Sequence, residues 1–181
     1  MADTHSPGTR GGAGGEPPAD LLALDRQVCF ALAVASRNVI ALYRPLLEPM
    51  GITHPQYLVM LALWEESPLR VSEIARRIGL EPPTLSPILK RLEASGLVVR
   101  ERDARDDRAL AVRLTPEGRR LRRRAERIPP AIIDRLGLDI AELEETRSRL
   151  VRLIEAADRH PGDRPGPPTT GRPGRGTGAA R

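Results

Sequence analysis

Residues 71–115 narrow the fold more than any other part of the chain. From Val71 to Ile78, helical spacing puts Ile74, Ala75 and Ile78 on one face. Gly79-Leu80-Glu81 follows, with Gly79 where a helix C-cap favours positive φ. Pro82-Pro83 then opens a helix with Leu85, Ile88, Leu89 and Leu92 inward, ending near Ser95-Gly96. Pro87 predicts either an irregularity in that helix or a regular part that starts later, because an interior proline removes a backbone hydrogen bond. Two short helices joined by a glycine-containing turn are the helix-turn-helix pattern. Leu97 to Arg100 is β-prone, residues 103–108 read as a charged loop, and Ala109 to Leu114 alternates like a half-buried strand. Thr115-Pro116 caps a very basic helix through Arg127. The order predicts a mainly α (α+β) fold, a winged helix-turn-helix.

The flanks predict what carries this module. Asp20 to Tyr43 has apolar residues at helical spacing, and Pro45 and Pro49-Met50-Gly51 are expected to break it. Thr53 and Gln56 have capping-box spacing, and Pro55 suits the first turn of a helix running to about Glu66. Pro129-Pro130 is expected to interrupt the basic helix, with amphipathic helix resuming over 132–136 and 139–157. The N-terminal (20–50) and C-terminal (128–158) helices are apolar on one face and lie outside the winged module (67–127), so they read as dimerisation helices. Of the 16 glycines and 18 prolines, eight fall in residues 1–19 and eleven in 160–181. Both tails, 1–19 and 159–181, therefore read as disordered around one domain at 20–158. The arginines of the C-terminal tail are read as solvated, or as a weak nonspecific DNA tether.

Charge divides the same way. Residues 70–127 hold 16 basic and 9 acidic side chains, a net of +7, while the rest of 20–159 holds 8 and 12, a net of −4. A basic middle in an acidic frame points to a polyanion reader on a different scaffold. One cysteine excludes an internal disulfide, and no Cys-x-x-Cys pair offers a zinc site, so neither metal nor cofactor is expected. The longest apolar run, Tyr57 to Trp64, is eight residues, and no secretory leader is visible. The expectation is a cytoplasmic protein with no membrane partner.

For DNA, the outward positions of the second short helix are Thr84, Ser86, Lys90 and Arg91. Small hydroxyls approach base edges and phosphates, and the two cations reach guanines or the backbone. Arg105 and Arg108 sit in the hairpin loop, where an arginine suits a narrow minor groove. One of Asp106 and Asp107, assigned as Asp106, is expected to brace Arg108. A module this small reads few base pairs, so a homodimer on a palindromic operator in double-stranded DNA is expected.

All four aromatics, Phe30, Tyr43, Tyr57 and Trp64, cluster near Cys29 in sequence. Cys29 is either a buried inert thiol or a reactive one, which needs stabilising donors and some exposure. Tyr43 lies 14 residues beyond Cys29, or ~21 Å along a straight helix, so it can serve Cys29 only from a partner chain whose first helix runs antiparallel.

Cys29-Phe30-Ala31-Leu32, Tyr43-Arg44-Pro45-Leu46-Leu47, Pro55-Gln56-Tyr57-Leu58-Val59-Met60 and Leu63-Trp64-Glu65 resemble the organic-hydroperoxide-sensing branch of the MarR transcriptional regulators. Thr84 through Glu93, Gly96-Leu97-Val98 and Asp106-Asp107-Arg108 through Thr115 continue the resemblance, which spans about residues 21–155. It implies a homodimeric repressor whose reactive cysteine is Cys29. Organic hydroperoxide would oxidise Cys29 to sulfenic acid, then to a mixed disulfide with a low-molecular-weight thiol or to higher oxides, and DNA would be released. Two tyrosines of the partner chain hold the thiol in that branch. Tyr43 matches one, and His54 stands where the second would be, able to donate a hydrogen bond or, as imidazolium, to favour the thiolate. The resolving cysteine of two-cysteine members is absent, and Pro82-Pro83 replaces small polar residues at the start of the recognition helix.

Three other readings compete. One is a MarR-type repressor controlled by a small lipophilic or aromatic ligand, with Cys29 a bystander. Another is a cysteine peroxidase, against which stands the absence of a thioredoxin-like pattern around Cys29. The last is a purely architectural DNA binder.

Overall fold

The computed structural model describes residues 20, 22–103 and 106–159, excepting the side chains of residues 103 and 106–109. The segments read as disordered, 1–19 and the tail beyond Arg159, lie outside the described residues, as do Ala104 and Arg105. The chain divides into two compact units after Ile128.

In the first unit, a single helical turn at Leu24–Arg26 precedes α1 (Val28–Leu47), with Gln27 extended between them. The first helix therefore starts later than expected and runs through Pro45 rather than stopping there. Pro45 lies in the last turn, where its missing N–H removes one bond near an end that is already losing partners. Gly51, at φ +71°, completes the stop after the turn at Glu48–Met50. The helix α2 (His54–Glu65) opens as its spacing predicts: the Thr53 N–H donates to Gln56 Oε1 at 2.8 Å, with Pro55 in the first turn. Then follow β1 (Leu69–Arg70), α3 (Val71–Ile78) and α4 (Pro82–Ala94), with Gly79 at φ +67° between the two helices. The expected irregularity at Pro87 does not interrupt α4: Pro87 is exposed, and Leu85 and Leu89 on either side are buried.

The hairpin is longer than the alternation suggests. β2 (Val98–Asp103) and β3 (Asp106–Leu114) take in most of the residues read as a loop, with Asp103 paired to Asp106 across the tip. Ladder bonds form between backbones, so charged side chains at an exposed hairpin end do not prevent them. β3 is the central strand, with antiparallel neighbours β2 and β1. The two-residue β1 is too short to show a period in the sequence.

The core of this unit lies between sheet and helices. Val59, Met60 and Leu63 of α2, Ile74 of α3, Leu85, Leu89 and Leu92 of α4, and Val98 and Val112 of the sheet are each 1% exposed or less. α5 (Pro116–Ala125) starts on the Thr115 cap, whose hydroxyl accepts from the Gly118 N–H at 3.0 Å, and buries Leu121 and Ala125. α1 is different: of its twenty residues only Leu47 is buried. Val28–Met50 is also the one described stretch long and apolar enough to cross a membrane by length and composition, although Arg37 and Arg44 lie within it.

Next along the chain is α6 (Ile128–Leu136), which contains Pro129 and Pro130 in its first turn. The prolines thus start a helix as well as end one, because first-turn N–H groups have no helical acceptor. In the second unit α7 (Ile140–Asp158) begins at Asp139, which accepts from the Glu142 N–H at 2.8 Å and donates its own N–H to Glu142 Oε2 at 2.9 Å. No residue of α7 is buried, and Ile140, Leu150, Val151, Leu153 and Ile154 are exposed.

Candidate nucleic-acid interface and thiol site

α4 has the divided surface its pattern predicts. Leu85, Leu89 and Leu92 are buried, Ile88 is partly covered, and Thr84, Ser86, Lys90 and Arg91 are exposed. The hairpin is fastened to it. Arg100 of β2 donates through Nε to Glu93 Oε2 at 2.9 Å, and the ion pair holds the Glu93 carboxyl below its usual pKa and the guanidinium above its own. Across the strands, Arg113 forms a two-pronged pair with Glu101 at 3.0 and 3.1 Å. Two hairpin arginines are thereby held by carboxylates of their own module.

Arg102 is exposed and has no ion-pair partner among the described residues, and the same holds for Arg76 on α3. Sequence reasoning passed over both. The signal that could have found Arg102 is strand alternation carried two residues further, with Arg100 assigned to Glu93. Arg108 and Asp106 lie in β3 rather than in a loop, their side chains outside the description, so the brace between them and the position of Arg105 fall outside it too.

The thiol site is divided along α1. Cys29 sits in the first turn and is exposed, so the inert buried reading does not hold for the protomer. Tyr43 is near the other end of the same uninterrupted helix, which keeps the two apart within one chain. Tyr43 instead meets His54, the first residue of α2, with ring centroids 5.1 Å apart and planes at 69°. Tyr57 stands 6.0 Å from Tyr43. Burial raises the pKa of both tyrosines and lowers that of His54, which favours a neutral imidazole rather than the imidazolium. Beside His54 lies a cleft of about 540 Å³ lined by Ile40, Arg44, Leu47 and Ile52 among others.

The sequence profile of the MarR family matches residues 52–110. The chain is 38% identical over 136 residues to the organic hydroperoxide resistance transcriptional regulator of Bacillus subtilis (strain 168), covering 75% of this chain and 92% of that relative. This chain belongs to the MarR family. It is 42% identical over 139 residues to the HTH-type transcriptional regulator TtmR of Methylorubrum extorquens, covering 77% and 70% of the two chains. Among solved structures it resembles reduced AbfR bound to DNA, AbfR being a Staphylococcus epidermidis protein, with a TM-score of 0.65 and 38% identity over 75% of this chain and 93% of that one. The winged helix-turn-helix expected from residues 71–115 is thus the fold of a MarR-family transcriptional regulator.

Proposed function

We propose that the protein is a cytoplasmic homodimeric repressor that releases a palindromic operator when an organic hydroperoxide oxidises Cys29. The observation that carries this reading is the placement of Cys29, exposed, and Tyr43 at opposite ends of one continuous helix of which only Leu47 is buried. A partner copy with its α1 antiparallel covers that face and brings Tyr43 and His54 of one protomer to Cys29 of the other. The exposed apolar residues of α7 are covered by the partner as well.

The chemistry needs no metal. The Cys29 thiolate attacks the distal oxygen of the hydroperoxide, an S–O bond forms and the O–O bond breaks. The alkoxide leaves as the alcohol after taking a proton, and sulfur becomes the sulfenic acid. A low-molecular-weight thiol then displaces water to give a mixed disulfide. Tyr43 and the neutral His54 serve as hydrogen-bond donors that orient the sulfur, and modification forces them aside. Thr84, Ser86, Lys90 and Arg91 of α4 face the major groove, while Arg105 and Arg108 of the hairpin reach toward the minor groove. Arg102, which has no ion-pair partner among the described residues, joins them.

The test titrates organic hydroperoxide into the protein bound to its own promoter DNA, with Cys29 followed by mass spectrometry. Release should track oxidation, and Cys29→Ser should stay bound. DNA release without modification of Cys29, or full release of Cys29→Ser, overturns the reading. Release of Cys29→Ser by a nonoxidising lipophilic acid would move the effector to the cleft beside His54.

A further inference from the structure

Three of the four aromatic rings form a chain of contacts, Tyr43 on α1 with Tyr57 and Trp64 on α2. Tyr57 and Trp64 are two turns apart on one face, with centroids at 6.2 Å and planes at 66°. Tyr57 also contacts Tyr43, and Tyr43 contacts His54. At the far end the Trp64 indole N–H donates to the Gly118 carbonyl of α5 at 2.8 Å. Gly118 is seated without slack: a Cβ there would lie 2.1 Å from the Leu97 carbonyl oxygen. The adjoining cap closes the same joint, since the Thr115 hydroxyl donates to the Gly96 carbonyl at 2.7 Å and the Thr115 N–H to that of Leu97 at 3.1 Å. Gly96 and Leu97 are the turn that ends α4 and begins β2.

We infer that Trp64 is a positioning residue that couples Tyr43 to the α4–β2 turn, and so to the way α4 and the hairpin meet DNA. The inference rests on the DNA-reading role proposed above and gives the thiol site a physical route to it. The Tyr57–Trp64 contact is edge-on and the Tyr43–Tyr57 contact tilted, at 43°, and close-packed interiors transmit displacement rather than absorb it. A shift of the Tyr43 ring moves Tyr57 and the indole of Trp64. The indole keeps its hydrogen bond if Gly118 moves with it, and a shift of Gly118 toward the Leu97 carbonyl displaces the α4–β2 turn, because there is no room between them.

The test is a double-mutant cycle in the full-length, thiol-reduced protein, read as operator affinity without oxidant. Trp64→Phe keeps an aromatic ring and removes the donor, and Tyr43→Ala empties the other end. Each should weaken binding by about 3- to 10-fold, with the double variant within about twofold of the weaker single one. Trp64 is the only tryptophan, so its emission should also shift in Tyr43→Ala. Multiplying effects, or unaltered affinity in Trp64→Phe, overturn the coupling, as does unaltered emission in Tyr43→Ala. Thermal melting of each variant identifies a purely structural tryptophan, which would lower the melting temperature while the affinity effects multiply. Because no oxidant enters the cycle, failure of the peroxide reading shows separately, as Cys29→Ser releasing DNA with peroxide.

Discussion

α1 and α2 are neighbours in sequence and both are rich in apolar residues, yet they solve opposite problems. α2 buries six of its twelve residues, including Val59, Met60 and Leu63, inside its own protomer. α1 buries one of twenty and leaves Val28, Phe30, Leu32 and Ile40 in solvent. Apolar periodicity therefore says that a face will be covered, not by whom. In α2 the cover is the chain's own sheet and helices. In α1 it is proposed to be a second copy, and that difference puts the exposed thiol on the helix that needs a partner.

The largest expected effect is on the self-covered side. Leu63→Ala leaves a cavity in a fully packed site and should lower unfolding free energy by about 2–5 kcal/mol in urea titrations. The loss should be the same at low and high protein concentration, because α2 depends on its own protomer. A loss that shrinks as concentration rises would mean that α2 also belongs to the subunit interface, and the contrast with α1 would fail.

On the side proposed to be covered by a partner, Leu32→Asp should change assembly before it changes the fold. Leu32 is 36% exposed in the protomer, so a carboxylate there is tolerated until a second copy must dry that face. Sedimentation should show monomers, and operator affinity should fall by about 100-fold as two linked half-site contacts become one. A dimer of unchanged affinity would move the interface away from α1.

The reach of sequence reasoning follows the same divide. Gly79, the Thr53 and Thr115 caps and the inward leucines of α4 were legible because each is a local rule acting over a few residues. Pro45 was misread as a stop because the rule against interior proline weakens in the last turn. The strands at Asp103 and Asp106 were misread because charge suggested a loop while backbone pairing decided the matter. At the candidate site, the exposed positions Thr84, Ser86, Lys90 and Arg91 followed from helical period alone. The Trp64–Gly118 bond joins residues 54 apart in sequence and no local pattern announces it. Arg102 was hidden for a similar reason, since its role depends on which carboxylates engage Arg100 and Arg113.

The smallest effect lies where the two helices meet, at His54. Burial against Tyr43 lowers its pKa below the ordinary histidine value of about 6.5. As pH falls through that value the unfolded chain takes up a proton that the folded chain still resists, so native stability declines. The decline levels off once the folded-state pKa is passed, and above about pH 7.5 neither state is protonated and His54 contributes no slope. His54→Gln keeps a hydrogen-bond donor and removes the titration. Urea unfolding at pH 7.5 and pH 5 should show the parent losing more stability on acidification than His54→Gln does. Equal losses would mean that His54 is as free to protonate as an exposed histidine, and that the Tyr43–His54 contact at the foot of α2 does not persist in solution.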